Sequence, residues 1–447
     1  MKRYFLHTFG CQMNESDSQR MGETLARAGW SPVETPDTAD LVLVNTCAIR
    51  EKAEDKLFSA LGRYRLLKAS RGTRIGVAGC VAQQEKDKLQ KRAPYVDFVL
   101  GPDQLGRVAA LAETGGLETG WVDSEEYLFP QADPETSRGR ATAFVTAMKG
   151  CDNVCSFCVV PYTRGREVSR PYAEIVREVA ALVAVGVREV TLIGQNVNSY
   201  AGGCTFAELI RRVDEVPGLL RLRFTTSHPM DLSPALVACF GDVRSLMPHF
   251  HLPVQHGANT VLERMRRKYT IADYEERIAQ LPRDVVLTSD IICGFPGETG
   301  DEHAQNLAFL QRTPFDSLFS FVYSPRPHTG ARLKLSEWGE VPREVALRRL
   351  DEVQALQKVR TLALHNARVS SEIEVLVEAV HGEERFGRSR ENWAVHFTGT
   401  AGPGDVANVR VERAGLVGVN GIETRVVDRA PSHFRERART RLAVVNA

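Results

Sequence analysis

The sequence predicts an α/β protein with three parts. An N-terminal parallel α/β domain is followed by a central partial barrel of six strand–helix units and a small C-terminal antiparallel β-barrel. Through residue 368, short apolar β-rich runs alternate with helical stretches, the pattern of parallel strands joined by crossover helices. Beyond residue 370 the pattern changes to short alternating strands separated by Gly-rich turns. This change predicts a separate antiparallel unit.

Composition bounds the class of protein. The chain has 447 residues, of which 43% are hydrophobic and 25% are charged, so two or three ordinary globular domains are expected. The net charge of +1 gives no overall field that would attract nucleic acid. Nine cysteines are too few for a disulfide scaffold, and no stretch approaches the roughly 20 apolar residues of a membrane span. We therefore predict a cytoplasmic protein without a membrane partner, and we expect a monomer.

The first domain, residues 1–118, repeats a strand–cysteine–helix unit three times. Predicted strands at 4–9, 41–46 and 74–79 are followed by Cys11, Cys47 and Cys80. Parallel strands end at a common edge, where ligands bind, so these three cysteines are expected to converge. The alternative is that each is a small buried hydrophobe, the usual fate of a free cysteine. Three equivalent positions favour a three-thiolate iron–sulfur cluster with one iron left open.

A polar stretch at 119–136 is predicted to be a surface linker, and residues 137–368 to form the barrel. Its strands are expected near 142–148, 189–194, 221–226, 250–255, 285–293 and 318–323. Six units are fewer than the eight of a closed barrel, which predicts an opening on one side. Polar residues follow every one of these strands, at the ends where barrels carry their active sites.

The most informative run follows the first barrel strand. Cys151, Cys155 and Cys158 have the spacing Cys-x3-Cys-x2-Cys, which supplies three thiolates and no fourth. A cubane cluster held this way keeps one iron free to bind a substrate. The alternative is a zinc knuckle without its last ligand, but the next histidine is only at His228. The segment closely resembles the cluster loop of the radical S-adenosylmethionine (SAM) enzymes.

Basic and aromatic residues suggest RNA contacts. Two stretches, 162–170 and 264–269, mix arginine with tyrosine, a composition suited to phosphate contact and base stacking. Either could instead be a solvated helix face. The C-terminal unit, residues 370–435, resembles the OB-like TRAM domain and has an arginine-rich tail between Arg429 and Arg441. A barrel that serves only solubility is the alternative.

The full order of motifs resembles the radical-SAM methylthiotransferases over nearly the whole chain. The runs Thr8-Phe-Gly-Cys-Gln-Met-Asn14 and Val160-Pro-Tyr-Thr-Arg-Gly-Arg-Glu-Val-Ser-Arg-Pro171 are similar to the branch that acts on tRNA. The chain departs from the family pattern at His256, Ala258 and His328. These departures bear on fine contacts with SAM or substrate and not on the six cysteines.

The resemblance implies two [4Fe-4S] clusters and two roles for SAM. The cluster on Cys151, Cys155 and Cys158 would cleave SAM to a radical that attacks C2 of N6-dimethylallyladenosine in the tRNA anticodon loop. The cluster on Cys11, Cys47 and Cys80 would carry sulfur that a second SAM methylates. It also implies an electron donor such as flavodoxin or ferredoxin and a sulfur donor. The SAM or substrate contacts it suggests are Gln195, Asn196, Ser227 and Gln255.

Two other functions stay open at this point. A second branch of the same family methylthiolates an aspartate of a ribosomal protein and differs in substrate and not in chemistry. A zinc-dependent RNA-binding protein without catalysis is the alternative from a different class.

Overall fold

The N-terminal domain is built on one parallel sheet. The computed structural model describes residues 2–48, 51–123, 126–127 and 129–431. Six strands form the sheet in the order β2-β1-β3-β4-β5-β6: β1 (Lys2–Phe9), β2 (Trp30–Pro32), β3 (Leu41–Thr46), β4 (Arg74–Gly79), β5 (Phe98–Leu100) and β6 (Gly116–Glu118). The helices are α1 (Gln12–Arg27), α2 (Glu51–Arg71), α3 (Cys80–Glu85), α4 (Asp87–Arg92) and α5 (Val108–Thr114).

This sheet has three more strands than the sequence predicts. The additional strands, β2, β5 and β6, have three residues each. Runs of that length are too short for a period-two pattern to distinguish them from loops. The three predicted strands are adjacent in the sheet, and their residues are almost completely buried, as expected for parallel strands with both faces covered.

The central domain is a partial barrel. Its strands and two short ribbon strands are β7 (Thr142–Thr146), β8 (Met148–Lys149), β9 (Val168–Ser169), β10 (Glu189–Ile193), β11 (Arg221–Phe224), β12 (His249–His251), β13 (Val286–Cys293) and β14 (Phe315–Val322). Two parallel three-stranded sheets, β11-β10-β7 and β12-β13-β14, are joined by a bridge between Leu222 and Leu246. Since β7 and β14 are the outer strands, the barrel is open between them, as predicted.

Helices surround these strands, and the space between is filled by apolar side chains. The helices are α6 (Val160–Thr163), α7 (Tyr172–Ala184), α8 (Phe206–Asp214), α9 (Pro234–Asp242), α10 (Asn259–Arg264), α11 (Ile271–Ile278), α12 (Gly300–Arg312), α13 (Gly330–Leu333), α14 (Leu335–Trp338) and α15 (Arg343–Asn366). Buried rings of Phe224, Phe250, Phe309 and Phe315 lie in one continuous core. This core holds the strands in place, and the carboxyl ends of these strands carry the candidate site.

Two barrel strands differ from the prediction. The first, expected over 142–148, is divided into β7 and the ribbon strand β8. The fourth, expected over 250–255, ends at His251. Pro253 has no N–H to donate to a neighbouring strand, and Gln255 has a left-handed backbone with φ +76°. Both features stop regular pairing before the predicted end.

The C-terminal unit is a closed five-stranded barrel. Its strands, in the order β15-β16-β17-β19-β18, are β15 (Glu372–His381), β16 (Glu384–Ser389), β17 (Ala394–Thr398), β18 (Val406–Ala414) and β19 (Gly418–Asp428). All pairs are antiparallel except β17 with β19, which is parallel and closes the barrel. This arrangement confirms a small β-barrel. Most of the predicted arginine-rich tail lies outside the described residues.

Buried arginines attach this barrel to the central domain. Arg221 donates to the carbonyl oxygen of Arg388 and to Glu374, and Arg223 donates to the carbonyls of Ser389 and Arg390. Arg221 is the first residue of β11 and Arg223 the third, and Arg188, directly before β10, pairs with Asp428 of β19. The C-terminal barrel therefore covers the end of the partial barrel opposite to the cysteine loop. No helix in the described part of the chain has the length and apolar character to cross a membrane.

Candidate functional site

The three N-terminal cysteines lie at one edge of the first sheet. Cys11 occupies the N-cap position of α1, shortly after the end of β1. Cys47 follows β3, and Cys80 is the first residue of α3, after β4. Because β1, β3 and β4 are neighbours, their carboxyl ends bring the three thiols together. The structure thus brings together residues that are up to 69 positions apart in the sequence (Cys11 to Cys80).

The electrostatic surroundings of these thiols differ. A hydrogen bond with the Cys47 thiol lowers the pKa of Cys11 to about 6, with burial opposing and Arg164 assisting this shift. Burial raises the pKa of Cys80, against the influence of Arg164. A thiolate is the form that binds iron. The surroundings of Cys11 therefore favour its thiolate near neutral pH.

A glycine allows two of the cysteines to approach each other. Gly10 has φ +132°, and a Cβ built on it would stand 2.4 Å from Cβ of Cys47. Any other residue would push apart the two loops that carry Cys11 and Cys47. Gly10 is therefore needed for close packing against Cys47.

We expect Gly10→Ala to lower the iron content of the purified protein and to destabilise it by about 1–3 kcal/mol, the usual cost of overpacking. Anaerobic iron analysis and urea denaturation would measure both effects. Gly62→Ala is the matched control, since Gly62 lies within α2 and its added Cβ would meet nothing within 4 Å. The control should be neutral or slightly stabilising. Equal iron content in both variants would contradict the packing argument.

A network of buried polar side chains lies next to the Cys11 thiol. The Asn45 side chain donates to the main-chain oxygen of Asn14 at 2.8 Å and to Ser18 Oγ at 2.9 Å. Asn14 Nδ2 donates to Asn45 Oδ1, and the Cys11 thiol lies 3.3 Å from Asn14 Oδ1. These bonds connect the first turns of α1 to the end of β3. Asn45 and Ser18 belong to no recognisable motif, so no pattern in the sequence predicts their role.

Arg164 links the two domains at this site. Its guanidinium is buried, and Nη2 donates to Asp17 Oδ2 at 2.6 Å. Its positive charge also opposes the effect of burial on the pKa of the Cys80 thiol. Arg164 follows α6, only six positions after Cys158, so the loop of the second cysteine set reaches directly into the surroundings of the first. Arg164 therefore connects the segment after the second set with α1, the helix that follows Cys11.

The second set lies on a tightly anchored loop after β8. Main-chain bonds join Cys151 N–H to the Gly165 carbonyl at 3.2 Å and Cys158 N–H to the Cys155 carbonyl at 3.1 Å. A Cβ on Gly150 would stand 1.9 Å from the Arg166 carbonyl oxygen, so the loop needs glycine there. Burial raises the pKa of Cys158 to about 12 and also raises the pKa of Cys151. An electropositive cofactor would be needed to hold these thiols ionised.

None of these six cysteines, all of which lie in the described part of the chain, forms a disulfide. Among the described residues, no group of three or more Cys, His, Asp or Glu side chains is arranged around a single metal ion. Each set supplies three thiols, which suits the three-thiolate ligation of a [4Fe-4S] cluster, and glycines let the loops pack closely around them.

The predicted SAM contacts lie at the carboxyl ends of β10, β11 and β12. Three of their polar atoms are buried without a hydrogen-bond partner among the described residues: Gln195 Nε2, Asn196 Oδ1 and Ser227 Oγ. A bound polar ligand or a water could complete these atoms, since buried polar groups in folded proteins are usually hydrogen-bonded. Gln255 instead uses its main chain, which pairs with Asp290 and Ile292 of β13. Its role as a contact stays a prediction.

The structure corrects the interpretation of the basic stretches. Arg164, Arg170 and Arg267 are buried and do not present a surface to RNA. Arg170 forms ion pairs with Glu174 and Glu178. Only the neighbouring exposed residues, such as Arg166 and Arg266, could contact phosphate. Sequence composition could not separate these cases, since burial depends on tertiary packing.

The structure shows the surroundings of His256 and His328, two of the residues that depart from the family pattern. His256 is fully buried, its Nδ1 accepts from Ala258 N–H at 3.0 Å, and its Nε2 lies 3.5 Å from Glu298 Oε1. Glu298 caps Gly294 and Phe295 in the loop after β13. His256 therefore supports this loop. His328 lies elsewhere, with its ring 5.9 Å from that of Tyr162.

Similarity to known proteins agrees with this geometry. Residues 3–101 match the uncharacterized protein family UPF0004, and residues 145–310 match the radical SAM superfamily. Among solved structures, the radical SAM methyltransferase TsrM from Kitasatospora setae superposes with a TM-score of 0.56 at 16% identity, covering 75% of this chain and 78% of TsrM. That likeness supports the fold.

Curated relatives are much closer in sequence. The tRNA-2-methylthio-N(6)-dimethylallyladenosine synthase of Anaeromyxobacter sp. (strain Fw109-5) is 57% identical, covering 94% of this chain and 95% of the relative. The enzyme of the same name from Myxococcus xanthus (strain DK1622) is 56% identical, covering 93% and 92%. The one from Geobacter metallireducens is 45% identical, covering 92% and 96%. With relatives this similar over nearly its whole length, the chain belongs to the radical-SAM family of tRNA-2-methylthio-N(6)-dimethylallyladenosine synthases.

Proposed function

We propose that this protein is a radical-SAM transferase that adds a methylthio group to C2 of N6-dimethylallyladenosine in tRNA. The name of its relatives supports the substrate, and the membership in the radical SAM superfamily supports the chemistry. We assign one [4Fe-4S] cluster to Cys151, Cys155 and Cys158, and a second to Cys11, Cys47 and Cys80. When bound, these groups and SAM supply the radical and the sulfur that ordinary side chains lack.

One observation carries the proposal: Arg164, in the segment after the second cysteine set, forms a buried ion pair with Asp17 of α1, the helix whose N-cap residue is Cys11. The reaction requires a radical and a sulfur carrier to meet at one base. This buried pair attaches the segment that follows one cysteine set to the helix that follows a cysteine of the other, which supports a fixed relation between the two sets. The chain's own contribution is therefore placement and exclusion of water.

SAM would be held at the carboxyl ends of β10 and β11. Gln195 Nε2 is a free donor there, while Asn196 Oδ1 and the Ser227 hydroxyl can accept, and all three are buried. Gln195 Oε1 accepts from Gly150 N–H, which orients the amide beside the cysteine loop. Asn196 is fixed by donating to Asp231 at 2.8 Å. These oriented amides suit the amino and carboxylate groups of an amino acid moiety.

A cavity beside the two cysteine loops could admit the base. Its volume is about 570 Å³, within the range of small-molecule sites. It is lined by the start of the linker, by the segment after Cys158 and by α3. Trp121 and Tyr162 are both exposed there, and Trp121 lies against Gly165. Exposed aromatic rings at this position suit stacking of an unpaired anticodon-loop base.

The proposal includes partners that the reaction requires. Reductive cleavage needs an electron donor such as flavodoxin or ferredoxin, and each turnover consumes sulfur that a donor must replace. We propose that the protein works as a cytoplasmic monomer. Analytical ultracentrifugation of the anaerobically purified protein tests the oligomeric state.

Deleting the gene is expected to remove 2-methylthio-N6-dimethylallyladenosine from cellular tRNA and to raise its unthiolated precursor. Nucleoside mass spectrometry on digested tRNA measures both quantities in one experiment. Re-expressing the gene should restore the modified nucleoside. Unchanged tRNA nucleosides together with loss of a methylthiolated ribosomal protein would instead establish the protein-modifying alternative. An isolated protein with zinc and no iron would refute both.

A further inference from the structure

Arg267 is a buried guanidinium that contacts the second cysteine set. It lies in the turn between α10 and α11, and its Nη1 donates to Cys155 Sγ at 3.5 Å. Nη2 donates to the Pro253 carbonyl at 2.8 Å, and Nε donates to the Tyr269 hydroxyl at 2.9 Å. The Tyr269 hydroxyl in turn donates a hydrogen bond to the Val254 carbonyl at 2.9 Å. These hydrogen bonds fix the orientation of the guanidinium, so that its Nη1 points to Sγ of Cys155.

In the described part of the chain, Arg267 has no carboxylate partner. Its three polar contacts are a carbonyl, a phenol and a thiol, and the groups that act on its charge are Tyr269 and Cys155. Arg164 at the other cysteine set differs, because Asp17 neutralises it at 2.6 Å. Each set thus has a buried arginine beside it, but only the arginine beside the N-terminal set is paired with a carboxylate. The fixed charge next to the two sets therefore differs.

A buried charge without a counter-charge is costly. The side chain is 8% exposed, so water offers little compensation. Neutral hydrogen bonds satisfy the N–H groups but leave the charge itself uncompensated. The negative charge that compensates Arg267 must therefore come from Cys155 and from the group that its sulfur binds. Three thiolates on a [4Fe-4S] core make such a group anionic.

We propose that Arg267 is a positioning residue that supplies the counter-charge of the iron–sulfur cluster on Cys151, Cys155 and Cys158 and raises its reduction potential. The inference depends on the cluster assignment of the proposed function but not on the identity of the RNA substrate. Adding an electron makes the cluster more negative, and a fixed positive charge at its ligand favours that state. Hydrogen bonds and charge at cluster sulfurs are known determinants of potential.

The test compares Arg267→Lys, which keeps the charge, with Arg267→Gln, which removes it and keeps a donor. Both are made in a full-length background with Cys11, Cys47 and Cys80 replaced by alanine, so that only one cluster can form. The reduction potential is followed by electron paramagnetic resonance without tRNA or SAM, and iron is measured in the same samples. Arg266→Gln is the matched control, because it removes the same charge from an exposed side chain one position away.

We expect the potential of Arg267→Gln to be more negative than that of the parent, with Arg267→Lys between them and the control unchanged. Loss of the cluster from the Gln variant alone would also support the inference, since the charge would then be needed to hold it. Equal potentials in the Gln variant and the parent would overturn it. So would loss of cluster or fold in both variants, which would assign Arg267 a purely structural role. A parent without any iron would instead refute the proposed function.

Discussion

Replacing Cys11 by alanine is expected to abolish methylthiolation of tRNA while reductive cleavage of SAM continues. Cys11 belongs to the N-terminal set, to which we assign the sulfur-carrying cluster, whereas SAM cleavage is assigned to the set on the loop after β8. Two thiols alone would not hold that cluster in the N-terminal set. The second set is anchored by its own main-chain bonds, so it does not depend on Cys11.

The measurement is anaerobic. The purified variant is incubated with SAM, a reductant and prenylated tRNA, and 5′-deoxyadenosine and the modified nucleoside are quantified by mass spectrometry. Cys204→Ala is the control, since Cys204 is a free cysteine outside both sets, and both products should form normally. Methylthiolated product from the Cys11 variant would show that the sulfur site has been assigned wrongly. Loss of 5′-deoxyadenosine would show that the two sets are not separable in function.

Replacing Arg164 by methionine is expected to destabilise the protein by about 3–5 kcal/mol, the usual cost of breaking a buried ion pair. The side chains of Arg164 and Asp17 are 5% and 9% exposed, so Asp17 would stay buried without its partner. Burial already raises the pKa of Asp17 in the intact protein. The loss would also loosen the contact between the N-terminal domain and the cysteine loop.

Urea denaturation of the anaerobically purified protein measures this effect. Arg166→Met is the matched control, because Arg166 pairs with Asp152 at the surface, where its side chain is 82% exposed. Such pairs contribute about 0–1 kcal/mol. Adding Asp17→Asn to the Arg164 variant should recover part of the stability, since no charge then stays buried alone. Similar losses for the two single arginine variants would contradict the role of the buried pair.

The sequence by itself determined the chemistry and the class of fold. The spacing of Cys151, Cys155 and Cys158 is local, and the strands before Cys11, Cys47 and Cys80 have clear apolar patterns. A parallel sheet brings the ends of such strands together whatever their separation along the chain. The partial barrel and the small C-terminal barrel followed from the number and the periodicity of strands, and the structure confirms both.

Only the tertiary structure decided what the arginines do. Arg164 and Arg267 belong to stretches whose composition suggested contacts with RNA, yet both are buried beside cysteines. It also decided the short strands β2, β5 and β6 and the place of the C-terminal barrel, which depends on contacts such as Arg221 with Glu374. The physical reason is the same in each case. A charge becomes a surface contact or a buried partner according to what packs around it, and neighbours distant in the chain leave no local pattern in the sequence.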